Sequence, residues 1–214
     1  MLRLTRQTML VLFALTLGAC DLINNQDDKK VVSSEVKDLP ADPAVLTGST
    51  QQPKTTGKFT LFSFKDNKIV ANADSASTKW DIGFRATTII VNSGTSGPGN
   101  TQAQVVTGAF DDYQIAPTTG YFKDDKANSA RPYAIPLGSG NGWFNYNGAT
   151  QLAAPIPGKM LVFKTTDGKY VKLQILSYYK GAPLAPNAQT DAARYYTFRF
   201  VYQGDGSAVF PTAK

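Results

Sequence analysis

The chain has 214 residues, a formal charge of +6 and 42% hydrophobic residues, which suits one folded domain with a tail. It contains no histidine and one cysteine, Cys20, which excludes a Ser-His-Asp or Cys-His catalytic system, a Cys/His zinc site and an intramolecular disulfide. The basic residues are dispersed. We therefore predict a solvated surface, including strand lysines such as Lys164, Lys169 and Lys172, and no nucleic-acid partner.

The first twenty residues have the pattern of an export signal. Arg3 and Arg6 precede an apolar run over residues 9–17, which is too short for a permanent membrane span. Residues 17–20 read Leu-Gly-Ala-Cys, which resembles the lipobox of bacterial lipoproteins. We predict a signal peptide over residues 1–19 and lipid attachment at Cys20, which becomes the mature N-terminus.

The segment that follows is predicted to be a flexible tether. Residues 20–57 are rich in polar residues and proline and show little apolar periodicity, so they are not expected to bury enough surface to fold. The tether would hold the folded domain, residues 58–214, away from the membrane that carries the lipid anchor.

The folded part has the pattern of an all-β fold, a single antiparallel β domain with long loops. Phe59, Leu61 and Phe62 begin a strand, and residues 65–68 form its predicted turn. Residues 79–92 alternate between apolar and polar side chains, as a half-buried strand does. The glycine-rich stretch 93–100 lacks the Gly-Lys-Ser/Thr ending of a phosphate loop, and we interpret it as a mobile loop.

Residues 101–157 show no helical period and mix glycine, proline and asparagine with aromatic residues. Long loops in a compact domain are usually functional, so we expect a binding site here. The alternative, that these aromatic residues fill gaps in the core, stays open. They are Tyr113, Tyr121, Phe122, Tyr133, Trp143, Phe144 and Tyr146.

Two strong strand patterns follow. Residues 159–179 predict a hairpin that turns at Asp167-Gly168, because glycine readily adopts the positive φ of a tight turn. Past the turn, Val171 and Leu173 face one side, whereas Lys172 faces the other. Residues 194–203 predict a further strand with one aromatic face, which is typical of a sheet core. That face consists of Tyr196, Phe198, Phe200 and Tyr202.

Four stretches together resemble the HmuY family of haem-carrying surface lipoproteins of Bacteroidota. They are KWDIGFRATTIIVNSGTSGPG (79–99), GNGWFNYN (140–147), GKMLVFKTTDGKYVKLQILSYYKG (158–181) and RYYTFRFVYQGDG (194–206). The resemblance implies a haem held between loops of an all-β fold at the outer membrane or cell surface. It also implies iron acquisition, in which haem is taken from host proteins and passed to a TonB-dependent outer-membrane receptor.

The chain departs from this family in its iron ligands. Family members hold iron between two histidines or two methionines, but this chain has no histidine, and Met160 is the only methionine after residue 19. The residue nearest the family's ligand position is Gln151, although a carboxamide is a weak iron ligand. Tyr121 or Tyr133 could instead ligate ferric haem as tyrosinate.

Two further possibilities for haem stay open. Met160 could serve as a ligand, although its place in an apolar strand favours core packing. Haem or a related tetrapyrrole could also be held by stacking and burial without an axial bond. Its propionates would then require cations, for which Lys123, Lys126 and Arg131 lie in the right region.

Two other functional classes remain at the level of sequence. The first is an HmuY-like binding or scaffold lipoprotein that has lost haem ligation and binds another nutrient or a protein partner. The second is a glycan hydrolase with paired aspartates, for which the candidates are Asp111, Asp112, Asp124 and Asp125. We predict a binding protein rather than an enzyme, with no catalytic residues.

Overall fold

The structure, a computed structural model, describes residues 30–47 and 52–211. Within these ranges it consists of strands and loops without an α-helix, and its only regular helical element is a short 3-10 turn, Asn72–Asp74. None of the described helical structure is long and apolar enough to cross a membrane. The predicted all-β class is confirmed. The predicted signal peptide, lipidation at Cys20 and the start of the tether lie outside the described residues.

The larger sheet has five antiparallel strands in the order β1-β13-β12-β11-β8. The predicted hairpin forms its centre, and Gly168 in the turn has a φ of +77°. Its strands are β1 (Val31–Pro40), β8 (Gln102–Thr107), β11 (Lys159–Lys164), β12 (Tyr170–Tyr179) and β13 (Ala193–Gln203).

The smaller sheet has four antiparallel strands in the order β5-β4-β6-β7. The stretch predicted as one strand over residues 79–92 is a hairpin that turns at Ala86, whose φ is +46°. The strands are β4 (Thr60–Ser63), β5 (Lys68–Val70), β6 (Ile82–Arg85) and β7 (Thr88–Val91). Two small hairpins pair β2 (Val45–Thr47) with β3 (Gln52–Lys54), and β9 (Phe144–Asn147) with β10 (Leu152–Pro155).

The main core lies between the two sheets and is built from aromatic side chains. Phe198 of β13 is fully buried, and its ring centroid lies 5.6 Å from that of Phe62 and 5.5 Å from that of Phe84 in the smaller sheet. Such aromatic contacts add stabilisation beyond the burial of apolar area. The predicted aromatic face of β13 is therefore confirmed as sheet core.

Strand β1 corrects the predicted tether and the predicted domain boundary at residue 58. It pairs with β13, Leu39 is 2% exposed, and Val32 and Val36 pack against the main core. The physical reason is that the edge of β13 supplies backbone partners and an apolar surface that the segment lacks by itself. Ordered structure therefore begins well before residue 58.

Lys172 corrects the prediction of a solvated strand lysine. It is 2% exposed, and its Nζ donates to the carbonyl oxygens of Phe110 at 2.7 Å and Tyr113 at 2.9 Å. The segments around Phe110 and Phe210 cover this face of the larger sheet. Burial lowers the pKa of Lys172. Strand alternation correctly predicts that Lys172 points away from the side of Val171 and Leu173. The prediction of exposure is wrong because other segments of the chain cover the side to which Lys172 points.

The glycine-rich stretch 93–100 is also not the predicted free loop. Asn92 is fully buried; its Oδ1 accepts the N–H of Gly99 at 2.9 Å, and its Nδ2 donates to the carbonyl of Trp80 at 2.7 Å. A Cβ at Gly97 would lie 2.2 Å from Asn92 Oδ1 and 2.6 Å from the Trp80 ring. The glycines are therefore required for close packing around this asparagine.

Asp81 lies where turns from both sheets meet, and its titration should make stability depend on pH. Its Oδ2 accepts the N–H of Phe64 at 2.8 Å. Burial, together with the carboxylates of Asp167 and Asp66, raises the pKa of Asp81 to about 7 from the ordinary value of 3.8. At pH values between these two pKa values the folded state binds more protons than the unfolded state. The free energy of unfolding should therefore fall as pH rises.

We expect this slope to be at most about 1.4 kcal/mol per pH unit between pH 4 and pH 7. Urea unfolding of the wild type and of Asp81→Asn at pH 4.5, 6 and 7.5 measures it, since asparagine can accept the same hydrogen bond without titrating. Asp112→Asn, at an exposed aspartate, is the control and should keep the wild-type slope. An unchanged slope in Asp81→Asn would contradict the assignment.

Candidate functional site

A groove lies in the segment between β8 and β9, within the region where a site is predicted. It has a volume of about 470 Å³, within the range of about 300–1,000 Å³ that is usual for small-molecule sites. Its walls combine apolar side chains with the polar Arg131 and Asn141, and Leu137 on its rim is 43% exposed. The lining residues are Ala130, Arg131, Pro132, Tyr133, Pro136, Leu137 and Asn141.

Asp124 fastens the segment that carries the groove to the smaller sheet. Its side chain is fully buried, with Oδ2 accepting the N–H of Val91 at 3.0 Å and Oδ1 accepting the N–H of Ala134 at 2.8 Å. Burial raises the pKa of Asp124, and these hydrogen bonds oppose that rise. The carboxylate therefore joins the backbone of β7 to the backbone of the groove segment at Ala134.

Tyr133 is the predicted ligand that lines the groove. It is half-buried and packs against the small apolar cluster that contains Trp80 and Ile90. The Nζ of Lys126, an exposed residue, lies 6.0 Å from the centroid of the Tyr133 ring. A phenol, a cation and apolar walls are thus brought together in one place.

Arg131 forms another wall of the groove. Its guanidinium carbon lies 3.5 Å from the centroid of the Phe122 ring, and its Nη2 donates to the carbonyl of Ala134 at 2.9 Å. Lys123, the third predicted cation, is exposed and does not line the groove. Arg131 and Lys126 are therefore the predicted cations that the fold places near Tyr133.

Tyr121 and Met160 lie together elsewhere, in the apolar cluster on the outer face of the larger sheet. Met160 is 1% exposed, and the Tyr121 hydroxyl is buried. Burial, with a smaller contribution from Tyr170, raises the pKa of the Tyr121 hydroxyl well above its ordinary value. A tyrosinate at this position is therefore disfavoured.

Gln151 is exposed in the turn between β9 and β10, with a φ of +59°, and does not line the groove. The four predicted ligands thus lie at three places: Tyr121 with Met160, Tyr133 in the groove, and Gln151 in the turn. Among the described residues, no group of three or more His, Cys, Asp or Glu side chains could hold a metal ion.

Three of the four aspartates considered for hydrolysis are held by other interactions. Asp111 receives both terminal nitrogens of Arg199, each at 3.1 Å, and Asp124 receives backbone N–H groups. Asp125 Oδ1 accepts the N–H of Ala127 at 3.0 Å, and Asp112 is exposed. These contacts give Asp111, Asp124 and Asp125 structural roles.

Comparison with known proteins identifies the family. The family model described as HmuY protein matches residues 55–200. The chain belongs to the HmuY family. The predicted resemblance is confirmed, and β1 lies before the matched residues although it completes the larger sheet of this HmuY-family chain.

Several solved structures are similar to this HmuY-family chain. An apo HmuY analogue from Tannerella forsythia is 15% identical with a TM-score of 0.46, over 82% of this chain and 97% of that one. A Bacteroides vulgatus protein, provisionally described as HmuY-like and haem-binding, is 13% identical with a TM-score of 0.44, over 85% and 96%. A Bacteroides fragilis protein, provisionally described as a lipoprotein, is 12% identical with a TM-score of 0.40, over 82% and 90%. A comparison with curated proteins gives no significant match.

Sequence reasoning about this HmuY-family chain missed two features of the groove. The sequence identifies Arg131 only as a cation for propionates. It does not indicate that the guanidinium stacks on Phe122 or that Asp124 anchors the groove segment. Both features depend on contacts between residues 9 to 33 positions apart. No local pattern reports such contacts, and a buried aspartate within a polar loop has no distinctive sequence signal.

Proposed function

We propose that this protein is a surface lipoprotein that binds haem or a related tetrapyrrole and passes it to a TonB-dependent outer-membrane receptor. The HmuY family match over residues 55–200 is the observation that carries this proposal. The groove beside Tyr133 supports it, because apolar walls with a few polar groups suit a flat, largely apolar ligand. Lipid attachment at Cys20 would hold the protein at the outer membrane.

Tyr133 is the best-placed iron ligand among the four candidates. It borders open space, whereas Met160 is 1% exposed and could reach a haem only if the outer face of the larger sheet opened. The raised pKa of Tyr121 opposes ligation by its tyrosinate. Gln151 is accessible but offers a weak carboxamide oxygen. A tyrosinate from Tyr133 would be a suitable ligand for ferric haem.

Titration of the purified protein with ferric haem, followed by absorbance, tests this function. We expect a Soret band that differs from that of free haem, and in Tyr133→Phe we expect a shifted band and an affinity reduced by about tenfold or more, equivalent to about 1.4 kcal/mol. Tyr146→Phe, at an exposed tyrosine of β9, is the matched control and should bind like the wild type. Absence of a spectral change at micromolar haem would contradict haem binding.

The second candidate function is an HmuY-family binding protein without haem. The chain has no histidine, and its four candidate ligands lie at three separate places, which favours this alternative. Capture of outer-membrane proteins by the full lipoprotein, with and without haem, distinguishes the haem carrier from the binding protein without haem. Recovery of the same receptor in both conditions supports the alternative, whereas recovery that requires haem supports the carrier.

The proposed role is binding rather than catalysis. Of the aspartates considered for hydrolysis, Asp111 is paired with Arg199, and Asp124 is fully buried among backbone N–H groups. Neither is available as the free carboxylate pair that glycoside hydrolysis requires. Activity on a glycan panel that is lost in Asp111→Asn or Asp124→Asn would overturn this assignment.

A further inference from the structure

The groove beside Tyr133 has in its wall a cation that the protein itself does not neutralise. The Nε of Arg131 is buried and has no hydrogen-bond partner, and the contact to the Ala134 carbonyl engages only Nη2. No carboxylate in residues 30–47 and 52–211 forms an ion pair with Arg131. Burial lowers the pKa of Arg131, as expected when solvent is removed without a compensating negative charge.

The other arginines near aromatic rings differ from Arg131. Arg199 lies 4.2 Å from the Phe110 ring centroid, but both oxygens of Asp111 neutralise it. Arg85 lies 4.3 Å from the Phe59 ring centroid and donates to the carbonyl of Gly57 at 3.0 Å, but it does not line the groove. Arg131 therefore combines a missing counter-charge with access to a cavity.

We propose that Arg131 is the anion-binding group of this groove and that the ligand supplies the missing charge as a carboxylate. This inference rests on the proposed function and specifies its ligand as a planar apolar body with a carboxylate at its edge. A guanidinium carries five N–H donors in a planar fork that can bind a carboxylate through two parallel hydrogen bonds. The Phe122 ring covers one face of the fork, and Arg131 lines the groove.

The apolar walls and the cation have separate tasks in this arrangement. Pro132, Pro136 and Leu137 would contact the body of the ligand, and Arg131 would select for its negative charge. Arg131 is half-buried and its Nε is buried without a partner, so a carboxylate at this edge would offset part of the desolvation penalty that the guanidinium bears without a ligand. A ligand of the same shape without the carboxylate should gain much less binding free energy from Arg131.

Metal-free protoporphyrin IX and its dimethyl ester test this inference, because they share the same ring and neither can form an axial iron bond. Quenching of tryptophan fluorescence measures binding of both probes to the full protein. We expect the free acid to bind about tenfold more tightly than the ester. Arg131→Gln should reduce this preference to less than about twofold, and Arg131→Lys should restore part of it. Arg85→Gln is the matched control, which also removes an arginine stacked on phenylalanine, and should keep the preference.

Equal affinity for acid and ester in the wild type, or a full preference in Arg131→Gln, would overturn the inference. Thermal unfolding of each variant shows whether it is still folded. The comparison of acid with ester on the wild-type protein does not depend on any variant. If neither porphyrin binds, the tetrapyrrole function fails, and millimolar benzoate then tests Arg131 alone. A shift of the Arg131 Nε–H resonance on titration with benzoate supports a site for carboxylates in general, whereas an unmoved resonance contradicts the role of Arg131.

Discussion

Asp124→Ala is expected to lower the free energy of unfolding by about 3 kcal/mol, because it leaves two buried N–H groups without an acceptor. These groups belong to Val91 and Ala134, which the carboxylate joins at 3.0 and 2.8 Å. The same change should reduce binding of any groove ligand, since Ala134 follows directly on Tyr133 and supplies the carbonyl that positions Arg131. Urea unfolding followed by tryptophan fluorescence measures the first effect, and porphyrin titration measures the second.

Two further variants test whether loss of the Asp124 hydrogen bonds causes the expected losses of stability and binding. Asp125→Ala removes the neighbouring exposed carboxylate, whose Oδ1 accepts only the N–H of Ala127, and should change stability by less than about 0.5 kcal/mol. Asp124→Asn should fall between the wild type and Asp124→Ala, because its amide keeps one acceptor and presents a donor where the second N–H points. A loss of less than about 1 kcal/mol in Asp124→Ala would contradict an anchoring role.

The parts of the fold that could be predicted are those whose signal is local. Residues 160–163 form an apolar run before an Asp-Gly turn, and residues 171–175 alternate after it. The structure has the hairpin of β11 and β12 there. The aromatic residues of β13 repeat every second position, and they form the main core. In both cases the strands and their buried faces are defined by neighbouring residues in the sequence.

The features that could not be predicted depend on which segments meet in space. Lys172 lies on the strand face that its alternation predicts, but the segments around Phe110 and Phe210 cover that face. The guanidinium of Arg131 packs on the Phe122 ring because the chain folds back over the nine positions that separate them. The sequence predicts a site within residues 101–157, where Tyr133 and Arg131 lie, but the groove itself arises from this non-local packing.

Strand β1 is the clearest case of a strand that its own sequence does not specify. Val32, Val36 and Leu39 are separated by polar residues, so the segment has the composition of a tether when it is considered alone. Paired with β13 it places Leu39 opposite Tyr196, and the leucine becomes 2% exposed. The energy that orders β1 therefore comes from a partner more than 150 residues away in the chain.

Leu39→Ala distinguishes an integral strand from a tether that merely lies against the domain. Loss of a buried leucine side chain usually lowers the free energy of unfolding by about 2–5 kcal/mol, and we expect about 3 kcal/mol here. Lys37→Ala, two residues earlier with a side chain that is 76% exposed, is the control and should change stability by less than about 0.5 kcal/mol. Trp80 and Trp143, both buried in the domain, report the unfolding of its two sheets in urea.

The outcome also bears on how far the domain lies from the membrane. If Leu39→Ala destabilises as expected, β1 unfolds together with the two sheets, and the predicted tether shortens to the residues that precede Val31. The maximum distance between the folded domain and a lipid at the predicted site Cys20 would then be shorter than for a tether of residues 20–57. If Leu39→Ala and Lys37→Ala are equally neutral, β1 contributes nothing to cooperative folding, and the family-matched residues 55–200 fold without it.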